Sequence, residues 1–212
     1  MFKAVIFDFN GTLFFDNDKH VKAWSDISML LRGRPITEEE LHSQINGKCN
    51  EQIIRSYRPE FTEEENKKYS LLKEEYYRNY CSEDAKNFHL VQGAEQFFDS
   101  LKEQNIPFTI ASASIWENMN FFIQSFHLNH WISKDWIVYD DGTYSGKTEM
   151  FQEAARRMQV DMKDTLIIED SMTGIQHAYE AGCRNIWVMD SSGNADYLKT
   201  LPGVTKVISN FL

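Results

Sequence analysis

The sequence predicts an α/β protein in which a doubly wound parallel sheet carries an inserted helical domain. Three observations lead to this prediction. Short, continuous apolar runs recur along the chain, and amphipathic segments of helical length separate most of them. One long stretch between the first run and the second shows helical patterns only. The length of 212 residues suits one such core with a smaller insertion.

Five apolar runs predict buried strands. Because these runs are continuous rather than alternating, they favour a parallel sheet that is covered on both faces. In chain order they are Lys3–Phe9, Phe108–Ala111, Thr165–Ile168, Asn185–Met189 and Lys206–Ile208.

Amphipathic segments between the later runs predict helices that connect parallel strands by right-handed crossovers. Strands that alternate with such helices indicate a Rossmann-like core, which we assign to residues 1–15 and 86–212. The predicted helices are Ala94–Glu103, Glu117–Phe126, Thr148–Met158 and Gly174–Ala181.

Residues 16–85 are predicted to form an α-helical cap domain. Its helical patterns are Asp18–Leu31, a short helix opened by a capping box at Thr37, Asn50–Tyr57 and Thr62–Tyr80. The run of Glu and Lys residues from Thr62 to Arg78 is expected to be a solvated helix face.

Composition and charge exclude several classes of function. A formal net charge of −10 argues against a nucleic-acid partner, which would require a basic surface. The three cysteines are far apart and indicate reduced thiols rather than a disulfide framework or a zinc site. No run approaches the ~20 apolar residues that a membrane-spanning helix needs. We therefore expect a cytoplasmic protein without a membrane partner.

Acidic side chains follow two of the predicted strands, at the edge of the sheet where open α/β proteins bind ligands. Asp8 lies at the end of the first strand, after four apolar residues, and Glu169 and Asp170 follow the third. Three neighbouring carboxylates repel one another unless a cation lies among them, and Mg²⁺ is the natural cation for phosphoryl chemistry. An aspartate at this position can attack phosphorus and form an acyl phosphate.

Groups that can hold a phosphate follow the second strand and precede a helix. Ser112 offers a hydroxyl, and the turn through Ala113 offers backbone N–H groups near a helix N-terminus. Lys147 precedes another predicted helix and can neutralise phosphate charge.

The order of these motifs resembles that of the haloacid dehalogenase-like hydrolase superfamily. The motifs are Asp-Phe-Asn-Gly-Thr from Asp8, Ser-Ala-Ser from Ser112, the lone Lys147 and Glu-Asp-Ser from Glu169. The resemblance is greatest to the β-phosphoglucomutase-like subgroup, whose pattern also matches His20 and Trp24 on the first cap helix, Phe14-Phe15-Asp16 and the run 169–182.

The resemblance implies a Mg²⁺-dependent phosphatase that acts on a small phosphorylated metabolite through an aspartyl-phosphate on Asp8. Asp8, the backbone carbonyl of Asn10 and Asp170 would bind Mg²⁺, with Glu169 acting through a metal-bound water. The residues implied in binding the substrate or its phosphate are Ser112, Ala113, Lys147 and, in the cap loop, Gly47 and Lys48.

Asn10 departs from the family pattern, in which an aspartate at this position protonates the leaving oxygen and then activates water. An amide does not titrate in the useful range and can do neither. Three explanations are open. Asn10 is native, with slow turnover or a preference for good leaving groups; His20 on the cap replaces the missing acid; or the position was altered to trap a complex. We adopt the first as our hypothesis.

Other differences from the family pattern argue against the alternatives to a phosphatase. The mutase subgroup carries Lys and Asn where this chain has Ile115 and Trp116, and an arginine where it has Asn50. A phosphonatase requires a Schiff-base lysine in the cap, where only Lys48 is near the expected loop. A non-catalytic module that binds a phosphorylated ligand is the remaining alternative. We therefore favour a phosphatase over a sugar-phosphate mutase, a phosphonatase and a binding module.

Overall fold

A computed structural model describes residues 2–45, 48–191 and 193–212. The chain divides into two compact units. The core unit comprises Met1–Phe15 and His89–Leu212, and the helical unit comprises Asp16–Phe88. Within the described residues, no helix has the length and apolar character that crossing a membrane would require.

The core unit contains a parallel sheet in which β1 lies at the centre. Among the described residues the sheet has six strands, in the order β3-β2-β1-β4-β5-β6. Val5 of β1 pairs with Phe108 on one side and Leu166 on the other. The strands are β1 Ala4–Phe7, β2 Phe108–Ile115, β3 Val138–Asp140, β4 Thr165–Glu169, β5 Asn185–Met189 and β6 Val204–Ile208.

The predicted α/β fold is confirmed, with one strand more than the sequence analysis identified. β3 escaped prediction because it is only three residues long and lies at the edge of the sheet, where Tyr139 and Asp140 are partly or fully exposed. A second difference concerns β2, which was predicted to end at Ala111 but continues to Ile115.

Among the described residues the helical unit has four α-helices, and apolar side chains of the first, third and fourth pack together. Its core includes Trp24, Ile27 and Leu31 from the first helix, with Ile53 and Ile54 from the third. The helices are α1 Asn17–Arg32, α2 Glu38–Glu40, α3 Asn50–Tyr57 and α4 Glu63–Glu83, and a π-helical turn, Leu41–Ile45, continues α2.

In the part of the core unit that the structure describes, five α-helices follow. They are α5 Ala94–Glu103, α6 Trp116–Ser125, α7 Lys147–Arg157, α8 Met172–Glu180 and α9 Ala195–Leu198. On one face of the sheet, Ile6 and Ile167 belong to an apolar cluster with Phe151 of α7 and Ile175 of α8. On the other face, the ring of Phe7 meets that of Phe98 of α5 at 5.2 Å. Burial on both faces explains why β1 reads as a continuous apolar run.

Candidate active site

The central strands β1 and β4 bring three carboxylates together at their carboxyl ends. Asp8 follows β1 directly, and its backbone N–H donates a 2.9 Å hydrogen bond to the carbonyl of Ile168 in β4. Glu169 ends β4 and Asp170 follows it. Carboxylate oxygens of Asp8, Glu169 and Asp170 lie within 4.8 Å of one another. The pairing of two parallel strands therefore assembles residues that are far apart in sequence.

Lys147 joins this cluster from the first turn of α7. Its Nζ lies 2.8 Å from Asp8 Oδ1 and also contacts Glu169 Oε1. Burial disfavours the charged form of Lys147, but attraction by Asp8 and Glu169 outweighs burial and raises the pKa of the ammonium group. Lys147 is therefore a fixed cation beside Asp8.

The carboxylate of Glu169 is held by the start of α8. Its Oε2 accepts hydrogen bonds from the backbone N–H groups of Asp170 and Ser171, each at 2.7 Å. Ser171 caps α8, because its hydroxyl accepts from the N–H of Gly174 at 3.0 Å. With Oε1 on Lys147, both oxygens of this fully buried carboxylate have protein partners.

Two glycines make room for the acidic side chains. A Cβ added at Gly11, which has a φ of +77°, would lie 2.2 Å from Asp170 Oδ2. A Cβ added at Gly174 would lie 1.9 Å from Glu169 Oε1. Both distances are far shorter than a van der Waals contact, so the carboxylates occupy space that any other residue would fill.

The acidic cluster holds more negative charge than its protein surroundings balance. Within the described part of the core unit, Lys147 forms ion pairs with two of these three carboxylates, Asp8 and Glu169. Burial raises the pKa of Asp8 to about 7. Repulsion from Glu169 adds to this rise, whereas attraction by Lys147 opposes it. Burial and repulsion from Asp8 and Glu169 raise the pKa of Asp170 to about 8. A divalent cation would balance the excess of two charges that three ionised carboxylates leave.

The donor set fits Mg²⁺. Carboxylate oxygens are the ligands this hard cation prefers, and two oxygens on opposite sides of it lie roughly 4 Å apart. The oxygens of Asp8, Glu169 and Asp170, within 4.8 Å of one another, approach that spacing. Thr12 has its hydroxyl 3.5 Å from Asp8 Oδ2 and 3.4 Å from Asp170 Oδ1, so it lies beside both carboxylates.

The serines predicted to hold phosphate lie beside Asn10. The side-chain oxygen of Asn10 accepts hydrogen bonds from Ser114 Oγ at 2.7 Å and Ser112 Oγ at 3.4 Å. These serines and Ala113 belong to β2 rather than to a turn after it, which corrects the sequence prediction. The β2–β3 register shifts between Ser112 and Ile115, so the strand continues past an irregularity there.

In the helical unit, the partly exposed side chain of His20 contacts buried polar residues. His20 Nδ1 is 2.8 Å from Lys73 Nζ, and its ring stacks on Tyr77 at 4.0 Å. Lys73 is 2% exposed and pairs with Glu74 at 2.9 Å. The prediction that this part of α4 faces solvent is therefore wrong for Lys73, Glu74 and Tyr77. The local sequence could not predict their burial, because a Glu/Lys-rich amphipathic helix does not reveal which of its charged side chains form buried pairs.

The cap-loop residues remain predictions. Gly47 lies outside the described residues, and Lys48 is exposed within the helical unit. Asn50, which replaces the arginine of the mutase subgroup, donates a 2.6 Å hydrogen bond to Glu74 Oε1. Asn50 is therefore engaged inside the helical unit.

Comparisons with known proteins agree with this arrangement. Residues 5–188 match the family model of haloacid dehalogenase-like hydrolases. A stretch of 98 residues, 45% of the chain, is 35% identical to the bifunctional riboflavin kinase/FMN phosphatase of Arabidopsis thaliana. The match spans only 26% of that longer protein.

Solved structures extend the similarity to nearly the whole chain. A HAD hydrolase, family IA, variant 3, from Entamoeba histolytica is 35% identical with a TM-score of 0.90, over 99% of this chain and 93% of that one. β-Phosphoglucomutase from Clostridium difficile shares the fold, with a TM-score of 0.75 and 23% identity over 100% of this chain and 92% of that one. The family resemblance predicted from the motifs is confirmed: this chain belongs to the haloacid dehalogenase-like hydrolases.

Proposed function

We propose that the chain is a Mg²⁺-dependent phosphatase that acts on a small phosphorylated metabolite through an aspartyl-phosphate on Asp8. The observation that carries this proposal is the geometry around Asp8. A nearly buried carboxylate lies at a strand end, 2.8 Å from a fixed lysine and beside two more carboxylates. This arrangement combines a nucleophile, a phosphate-neutralising cation and ligands for a metal ion.

Each group around Asp8 has a part in the proposed reaction. Lys147 and the hydroxyl of Ser112 bind oxygens of the transferring phosphoryl group, and the positive charge of Lys147 also favours the ionised form of Asp8. Asp8, Asp170 and the backbone carbonyl of Asn10 would bind Mg²⁺, with Glu169 acting through a water. When bound, the ion supplies the charge that lets a phosphate dianion approach a carboxylate.

The reaction proceeds in two displacements. An oxygen of Asp8 bonds to phosphorus as the bond from phosphorus to the leaving oxygen breaks. Water then attacks the phosphorus of the aspartyl-phosphate, which releases inorganic phosphate and restores the carboxylate of Asp8. Asn10 cannot donate a proton in the first displacement or accept one in the second. Loss of such a general acid/base slows a step by roughly 10²–10⁴-fold.

A rapid-quench experiment with an activated phosphomonoester and Mg²⁺ tests this proposal. We expect a burst of one leaving group per active site, followed by a slower steady state, because hydrolysis of the intermediate lacks a base. Asp8→Asn should remove both phases, whereas Asp161→Asn, at an exposed carboxyl, should change neither. EDTA should abolish turnover and added Mg²⁺ should restore it.

The outcomes separate a phosphatase from its alternatives. Equal turnover by the wild type and Asp8→Asn would overturn the proposal. Binding of inorganic phosphate with no release of leaving group would favour a non-catalytic module. Asn10→Asp should raise the steady-state rate by roughly 10²–10⁴-fold. A lower rate for His20→Gln in the Asn10 background would favour the alternative in which His20 replaces the missing acid.

A further inference from the structure

The side chain of Asn10 leaves the departing oxygen without an acid. The side-chain oxygen of Asn10 accepts hydrogen bonds from Ser114 Oγ and Ser112 Oγ. These bonds hold the amide beside β2, the strand whose serines we propose to bind phosphate. An amide in this place can orient a substrate but cannot protonate it. The ease of phosphoryl transfer then depends on how stable the leaving group is as an anion. A phenolic hydroxyl has a pKa of ~10. The pKa of an alkyl hydroxyl is close to that of water, ~16.

A pair of aromatic rings adjoins the same serines. Trp116 begins α6 two residues after Ser114, which places their Cα atoms at most about 7.6 Å apart. Tyr139 of β3 is the register partner of Ser112. The two rings meet at 5.1 Å between centroids with 42° between their planes. One residue of the pair thus follows β2 directly in the chain, and the other lies on the strand that pairs with β2.

Part of the Trp116 ring is accessible to a ligand. Trp116 is 37% exposed, although an indole at the start of a helix normally gains by covering its surface. A planar ring placed on this surface would add an aromatic contact to the Trp116–Tyr139 pair. The residues that follow each ring, Glu117 and Asp140, are exposed and acidic, which disfavours an anionic leaving group.

From these observations we propose that the substrate is an aryl phosphate, a monoester of an uncharged aromatic hydroxyl, whose ring is bound by Trp116 and Tyr139. This inference rests on the proposed function and names its substrate class. In the first step the bond between Asp8 and phosphorus forms, the bond between phosphorus and the aryl oxygen breaks, and the aryloxide leaves with the electron pair. Bulk water protonates the aryloxide afterwards, so the transfer itself requires no acid.

Three substrates separate ring recognition from leaving-group stability. Phenyl phosphate has both a ring and a stable anion, acetyl phosphate has a stable anion without a ring, and glycerol phosphate has neither. We compare kcat/KM, because it reports the first displacement even where hydrolysis of the intermediate limits kcat. The wild type should turn over glycerol phosphate slowest, because its alkoxide is the least stable leaving group. Acetyl phosphate has the more stable leaving group, so ring recognition is measured by how the ring variants change kcat/KM for phenyl phosphate, and not by the ranking of phenyl and acetyl phosphate.

Variants of the ring pair give the decisive comparison. Trp116→Ala should lower kcat/KM for phenyl phosphate by about tenfold, as expected for the loss of roughly 1.4 kcal/mol of aromatic contact. It should leave kcat/KM for acetyl phosphate unchanged. Trp116→Phe should retain most of the activity on phenyl phosphate, which also controls for misfolding. Tyr139→Leu should act in the same direction as Trp116→Ala.

A substitution at Asn10 tests whether the rate depends on the stability of the leaving group. Asn10→Asp should raise kcat/KM for glycerol phosphate far more than for phenyl phosphate, because only the alkyl leaving group needs the proton. Equal effects of Trp116→Ala on phenyl and acetyl phosphate, or no effect on either, would overturn the inference while the role of Asp8 stands. Turnover of all three substrates by Asp8→Asn would instead overturn the proposed function.

Discussion

At the residue scale, Gly174 shows how the site depends on the absence of a side chain. Gly174 lies in the first turn of α8, where alanine would ordinarily favour the helix by roughly 0.5–1 kcal/mol. A Cβ at this position would lie 1.9 Å from the buried carboxylate of Glu169. We expect Gly174→Ala to destabilise the protein by about 1–3 kcal/mol, as overpacking of a core does.

Chemical denaturation of the purified variant measures this effect. Gly146→Ala is the matched control, because its added Cβ would meet nothing within 4 Å and its φ of 162° is extended backbone. A gain in stability from Gly174→Ala would show that Glu169 can move aside.

The main site residues were predictable from sequence because their positions follow from strand ends. Asp8, Glu169 and Asp170 each end or follow an apolar run, and parallel strands must present such residues at one edge. Lys73 was not predictable in this way. Its pairing with Glu74 and His20 depends on how α4 packs against α1, and charge pattern along one helix carries no such information.

At the scale of elements, α4 depends on its cap. Thr62 Oγ1 accepts from the N–H of Glu65 at 3.2 Å, and Glu65 Oε2 accepts from the N–H of Thr62 at 2.9 Å. We expect Thr62→Ala to reduce stability by about 1 kcal/mol, because it leaves N–H groups of the first turn unpaired. Thr62→Ser keeps the hydroxyl and should be close to neutral. Unfolding followed by circular dichroism compares the two, and equal losses would argue against the cap.

Strands and helices differed in how well the sequence predicted them. The bounds of α3 and α5 agree with prediction at both ends, because their apolar periodicity and flanking residues are local signals. The end of β2 and the whole of β3 are fixed by pairing between strands. The irregular register from Ser112 to Ile115 arises only when these two strands meet.

At the scale of the whole molecule, the raised pKa values of Asp8 and Asp170 predict how stability changes with pH without metal. Their folded-state pKa values are about 7 and about 8, against 3.8 for an unperturbed Asp. Between these values the folded protein binds protons that the unfolded chain has released. Stability should therefore fall as pH rises from about 4 to about 8.

Thermal unfolding in EDTA and in Mg²⁺ at pH 5.5 and pH 8.5 tests this prediction. Mg²⁺ should raise Tm more at pH 8.5, because the carboxylates are then ionised and repel one another. The double variant Asp8→Asn, Asp170→Asn is the control for other titrating groups, and it should lose both the pH dependence and the Mg²⁺ effect. An equal Mg²⁺ effect at both pH values would contradict the charge argument.

The central position of β1 has a consequence for how the protein is made. Val5 must pair with Phe108 and Leu166, and the whole helical unit lies in the chain between β1 and the first of these partners. On the ribosome, the apolar strand that Asp8 follows emerges long before either neighbour exists. Pairing over such sequence separations is slow and leaves strand edges exposed to other chains. Synthesis of the core unit thus includes an interval in which β1 has no sheet to join, and chaperone binding during translation should concentrate in that interval.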